Sequence, residues 1–157
     1  MIRIFHLLII LLGSTSCSLN QTSNKTSVLT QDQHSAMEKK VLVLVNDYRR
    51  SQNLSPLIQS EKFTKIARAH SLEMQRKKDL SHKGFSRRAS LVKKQYQRAT
   101  VAENVGYNFG YAATEKRVVD SWINSSGHQV NIQGNYRYTG IGVTKSVEGN
   151  ITIPRYS

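Results

Sequence analysis

Apolar residues in this chain recur at helical spacing through the first half and at strand spacing only near the end. That order restricts it to an α+β architecture. Met37, Val41, Leu44, Val45 and Tyr48 fall three and four residues apart, the stripe of an amphipathic helix over about 33–52. Asn53 can close that helix, and Ser55-Pro56 turns the chain because the residue before proline avoids helical geometry. Ser60 suits the N-cap of a second helix, in which Phe63, Ile66, Ala67, His70 and Met74 share one face up to about Lys78. Residues 79–100 are polar and basic without an evident period, and Val101-Ala102 then leads into Glu103-Asn104-Val105-Gly106. Thr114 starts a third helix with Val118, Val119 and Trp122 inward, ending at Ser126-Gly127 because glycine commonly follows a helix end. Tyr138 to Thr144 reads as a strand, and Glu148-Gly149-Asn150 as the turn into another, Ile151-Thr152-Ile153. Pro154 cannot donate to a ladder, so the last strand is expected to be short and at an edge.

The first seventeen residues bear on compartment. A positive start at Arg3 precedes a nine-residue run from Ile4 to Leu12, apolar except for His6, and then Gly13-Ser14-Thr15-Ser16-Cys17. This is the layout of an export signal over 1–16, with an apolar run too short to span a bilayer. Cys17 resembles the acylated cysteine of a bacterial lipoprotein, although Ser14 stands where that motif usually carries an aliphatic residue. Residues 17–35 are then an acylation site and a flexible tether rich in Ser, Thr, Asn and Gln, with one folded domain over 36–157.

Cys17 is the only cysteine among 157 residues, so neither an intrachain disulfide nor a cysteine zinc cage can form. Lys and Arg number 23 against 10 Asp and Glu, a net charge of +13, which favours an anionic partner. The charge concentrates at 76–98, where Arg76, Lys77, Lys78, Lys83, Arg87, Arg88, Lys93, Lys94 and Arg98 face Asp79 alone. For an exported chain the expected contact is anionic membrane or wall polymer. Nucleic acid is not expected, since no recognition motif accompanies the charge.

Four strings in the first half, Asn46-Asp47-Tyr48-Arg49, Leu54-x-Pro56-Leu57, Ala67-x-x-His70-Ser71-x-Glu73-Met74 and Leu80-Ser81-His82-Lys83-Gly84-Phe85, are followed by three in the second. These are Ala102-Glu103-Asn104-Val105, Val119-x-x-Trp122-x-x-Ser125-x-Gly127-His128-x-x-Asn131-Ile132 and Tyr138-Thr139-Gly140-Ile141-Gly142-Val143. Taken in order, they resemble the CAP superfamily of cysteine-rich secretory, antigen 5 and pathogenesis-related class 1 proteins, in its cysteine-free bacterial branch. The resemblance covers about residues 37–147. It implies an α-β-α sandwich, with a small antiparallel sheet between helical layers and a cleft holding paired His and Glu.

Carried over residue by residue, the cleft set is His82, Glu103 and His128. Ser125 stands where animal and plant members carry a second Glu, and Arg137 falls near their second His. Two imidazoles and a carboxylate suit a divalent ion such as Zn²⁺ with an open position, and a carboxylate can equally orient an imidazole. His70 is expected to be a satisfied core residue and Trp122 a core residue whose N–H needs a buried partner. His128 is expected to cap the carbonyls ending the third helix, and Ser125, three residues before it, can meet it. Together these point to an exported, lipid-anchored envelope module that binds a small apolar or lipid ligand. The competing class is a metal-assisted hydrolase or peptidase using His82, Glu103 and His128.

Overall fold

A computed structural model describes residues 31–97, 99–109, 113–145 and 150–156. The export signal, Cys17, the tether up to residue 30, Arg98 and the turn at 148–149 lie outside them.

Helix α1 spans Gln31–Ser51, so part of the stretch expected to be tether is its first turn. Asn53 takes a left-handed φ of 58° just beyond its end, as a residue closing a helix does. Strand β1 is Ile58–Gln59. Helix α2 covers Glu61–Lys77, with Ser60 at its N-cap and Lys78 left-handed at its C-cap. The polar stretch that follows contains a further helix, α3, over Phe85–Lys93. Phe85, Ala89 and Val92 do recur at helical spacing, but the basic residues around them mask the period. Strand β2 is Glu103–Phe109, and helix α4 runs Thr114–Ile123. A separate helix, α5, covers Ser126–Gln133 with Ser125 at its N-cap. Gly127 is therefore inside a helix instead of past the end of one, and His128 sits in a first turn instead of capping last-turn carbonyls. Strands β3 (Tyr138–Ile141), β4 (Thr144–Lys145) and β5 (Asn150–Tyr156) complete the order.

The sheet order is β1-β3-β5-β2, with β4 also pairing β5. All pairings are antiparallel except the short β1–β3 pair, Ile58 opposite Tyr138. The last strand is thus seven residues long and internal, contrary to the expectation from Pro154. The reason lies in its neighbours. β3 leaves β5 after Ile141 opposite Arg155 and β4 joins it at Thr144 opposite Thr152, so Pro154 sits opposite the break between them. A missing N–H is tolerated at such an interruption.

Helices α1, α4 and α5 pack together on one side of the sheet and α2 on the other, which makes the α-β-α sandwich. Val41, Val45, Leu57, Val118, Val119, Trp122, Ile132, Ile141 and Val143 form one buried core. Trp122 is fully buried and donates its Nε1–H to the carbonyl of Val105, 3.0 Å away. The close approach of α2 depends on two glycines, because a Cβ on Gly140 or Gly142 would overlap the helix backbone at Phe63–Thr64 or Ala67–Arg68. Arg49 is the other fixture. Fully buried, it donates to the carbonyls of Ser55, Ile132 and Gly134 at 2.6–2.9 Å and so ties α1 to the loop after α5. No described helix is long and apolar enough to cross a membrane.

Candidate functional site

Glu103 opens β2, and its side chain is 1% exposed. A carboxylate so placed needs compensation. It comes from Arg88 on α3, whose Nε lies 2.9 Å from Oε2 and whose Nη2 lies 2.8 Å from Oε1. The same guanidinium donates through Nη1 to the carbonyl of Lys83 at 2.7 Å, so one planar fork fixes both the carboxylate and the loop before α3. That loop carries His82, whose Nδ1 lies 2.9 Å from Glu103 Oε1. Held by Arg88, the carboxylate oxygens serve as acceptors, so Nδ1 of His82 donates to Oε1 and Nε2 is the ring nitrogen left outside this pair. The His82 side chain is 51% exposed, so this imidazole is anchored at one nitrogen and open to solvent around the rest of the ring.

A polar chain links Glu103 to α5. Asn131 donates to Asn104 Oδ1 at 2.9 Å, and Asn104 donates to the carbonyl of His128 at 3.0 Å. His128 Nδ1 lies 3.0 Å from Ser125 Oγ, so the two side chains meet across the first turn of α5. Burial holds the His128 imidazole below its ordinary pKa, and the nearby His82 lowers it further. His70 is buried behind the site, its Nε2 3.0 Å from the carbonyl of Ser81 and 3.8 Å from Glu103 Oε1. Its Nδ1 has no hydrogen-bond partner, so it is a core residue satisfied at one nitrogen only. Burial, then the charge of Arg88, pushes its pKa down.

The structure thus joins His82 to Glu103 and brings His128 near, but it does not assemble the three as metal ligands. Among the described residues, no group of three His, Cys, Asp or Glu side chains is placed to hold a metal ion. The donor chemistry gives the reason. Both Glu103 oxygens are taken by Arg88, whose positive charge opposes a second cation at the same carboxylate. The zinc expectation does not fit these residues.

What the residues enclose is a cleft. His82, Phe85, Val101, Ala102, Glu103, Asn131 and Tyr136 line a depression of about 360 Å³. Tyr136 also borders a second one of about 330 Å³, whose walls include Phe63, Val92, Tyr96, Ala99 and Tyr138. There Tyr96 meets Phe63 edge to face with centroids 5.7 Å apart and Tyr138 at 5.8 Å, an arrangement that keeps the rings fixed. The first depression therefore carries an oriented imidazole, and the second is walled mainly by aromatic rings, with Arg137 stacked over Tyr138.

Arg88 is the residue that sequence reasoning missed. It reads as one more charge in a solvated basic run, and only the α3 period, which buries Arg88 beside Ala89 and Val92, signals that it turns inward.

Residues 42–153 match the sequence profile of the CAP family, described as the cysteine-rich secretory protein family. The uncharacterized protein YkwD of Bacillus subtilis is 33% identical over 141 residues, which cover 85% of this chain and 53% of that protein, so the chain spans about half the length of this relative. Among solved structures, an outer surface protein from Borrelia burgdorferi superposes with a TM-score of 0.68 at 15% identity, over 83% of this chain and 95% of that one. An extracellular SCP-domain protein from Bacillus anthracis gives 0.65 at 21% identity, over 81% of this chain and 43% of that one. A cysteine-rich secretory protein from Staphylococcus aureus gives 0.60 at 21%, over 81% and 40%. These likenesses carry the fold, and the profile match over most of the chain carries the family: the protein belongs to the CAP, or cysteine-rich secretory protein, family.

Proposed function

We propose that this CAP domain is an exported, membrane-anchored envelope module that binds a small amphiphilic ligand. The ligand's polar end lies at His82 and its apolar body against Tyr136, Tyr96 and Tyr138. The observation that carries this reading is the shared wall. Tyr136 borders both the imidazole-bearing depression and the aromatic one, so a ligand lying along Tyr136 would reach both. Their sizes fall at the lower end of small-molecule sites, and apolar and aromatic walls joined by a few placed polar groups are the usual makings of such sites. Export and anchoring rest on the signal layout and on Cys17. A lone cysteine at the new N-terminus is suited to acylation, although one acyl chain binds a membrane reversibly.

The test is a calorimetric titration of the chain from Ser18 onward with decanol and with decanoate, beside His82→Ala and Tyr96→Ala. The reading expects saturable binding that weakens roughly tenfold in each variant. No binding of either probe, or binding indifferent to both substitutions, would overturn it. One observation favours a second reading. The His82–Glu103 hydrogen bond leaves Nε2 able to take a proton from a bound water, as a hydrolase would require. Turnover of generic ester or peptide substrates that disappears in His82→Ala would put catalysis in place of simple capture.

A further inference from the structure

On the far side of the Arg88–Glu103 pair, α2 and α3 enclose a separate groove of about 370 Å³. Its lining brings the cations Lys77, Lys83, Arg87 and Arg88 together with Glu73 and with the apolar Ile66, Ala69 and Leu91. Lys77 is offset by Glu73 at 2.6 Å, whereas among the described residues no acidic side chain pairs with Lys83 or Arg87. Asp79, in an adjoining depression, accepts the Ser81 hydroxyl at 3.2 Å. The groove therefore carries uncompensated positive charge beside apolar side chains.

Two leucines stand in this charged surface. Leu91 is 48% exposed between Arg87 and Lys94, and Leu80 is 45% exposed in the loop whose flanking residues, Asp79 and Ser81, line an adjoining depression that shares Glu73, Lys77 and Lys83 with the groove. A polyanion in water needs only the cations. A pair of exposed leucines ringed by cations matches a bilayer instead, where phosphates meet the cations and the acyl boundary receives the side chains.

We infer that the α2–α3 groove and its rim are a membrane-docking face, with Lys83 and Arg87 engaging an anionic phospholipid headgroup while Leu80 and Leu91 enter the acyl boundary. The face is distinct from the His82 cleft. It supplies the second attachment that a weakly held lipid anchor requires, and it holds the domain close to the bilayer.

The test uses the chain from Ser18 onward, which holds every described helix and strand. Its flotation is measured with phosphatidylcholine vesicles, with vesicles containing phosphatidylglycerol, and against inorganic polyphosphate in solution. Of the two vesicle types only the anionic one should be bound, and that binding should fall roughly tenfold in Lys83→Glu with Arg87→Glu and roughly fivefold in Leu80→Ser with Leu91→Ser. The leucine variant should keep the parent's affinity for polyphosphate, and His82→Ala should keep the parent's vesicle binding, which separates this face from the ligand cleft. All four substituted side chains are exposed, and an unchanged thermal midpoint verifies that the variants are folded. Vesicle binding indifferent to the leucines would overturn membrane docking and leave a polyanion site for wall polymer. Binding indifferent to the charge reversal, or no preference for anionic vesicles, would overturn the site itself.

Discussion

The guanidinium of Arg88 spans the full width of the Glu103 carboxylate, with Nε 2.9 Å from one oxygen and Nη2 2.8 Å from the other. The two side chains are only 10% and 1% exposed. That pair orients His82, and Arg88 also lines the α2–α3 groove. Glu103→Gln leaves a buried guanidinium without its counter-charge, and urea denaturation should show a loss of about 3–5 kcal/mol. Arg88→Met combined with Glu103→Leu removes both charges and should cost less than Glu103→Gln alone. Equal or additive losses would mean the pair is not coupled.

Arg49 makes a second prediction, because its work is geometric. Its fork serves the carbonyls of Ser55, Ile132 and Gly134, and a lysine ammonium cannot reach them in one plane. Arg49→Lys should lower stability by about 2–4 kcal/mol, since carbonyls left without donors each carry a desolvation penalty. The same substitution loosens the segment that presents Tyr136, so decanol affinity should fall with it. A variant as stable as the parent would contradict this account of the loop.

Glycine-to-alanine changes should have opposite signs at two positions. At Gly140 a methyl group meets the α2 backbone, which cannot move aside cheaply, and the loss should be about 1–3 kcal/mol. At Gly127, inside α5, nothing lies within 4 Å of the added carbon, and alanine should stabilise by about 0.5–1 kcal/mol. Chemical denaturation of the two variants checks both signs at once.

These sites mark how far the sequence could be read. The core stripes of α1, α2 and α4 were legible because burial on one face imposes a period on Val41, Val45, Phe63, Ala67, Val118 and Trp122. The two ends of the second half were not. α3 hides behind basic residues that face water, and Pro154 hides an internal strand because the break between β3 and β4 depends on pairing between distant segments. His82 and Glu103 could be matched to a family pattern but not paired by spacing. Their partner Arg88 had no signal beyond a short apolar period.

Stability should depend on pH through two histidines. Burial is the main cause that holds His70 and His128 below their ordinary pKa of about 6.5. Between the lowered folded values and 6.5 the unfolded chain binds protons that the folded one refuses, so stability is complete above about pH 6.5 and falls as pH drops below it. Thermal melts from pH 7.5 to about 5 should show this decline. His70→Gln should flatten it by removing one of the two contributions. A decline of the same slope in that variant would assign the effect elsewhere.

The most direct test of the central claim is where a probe sits. Amide and aromatic NMR shifts of the chain from Ser18 onward should be followed while decanol is added. The cleft account predicts that shifts concentrate at His82, Ala102, Tyr96, Tyr136 and Tyr138, saturating together with one affinity. Shifts confined to Ile66, Lys83, Arg87 and Leu91, or scattered over the surface without saturation, would contradict it.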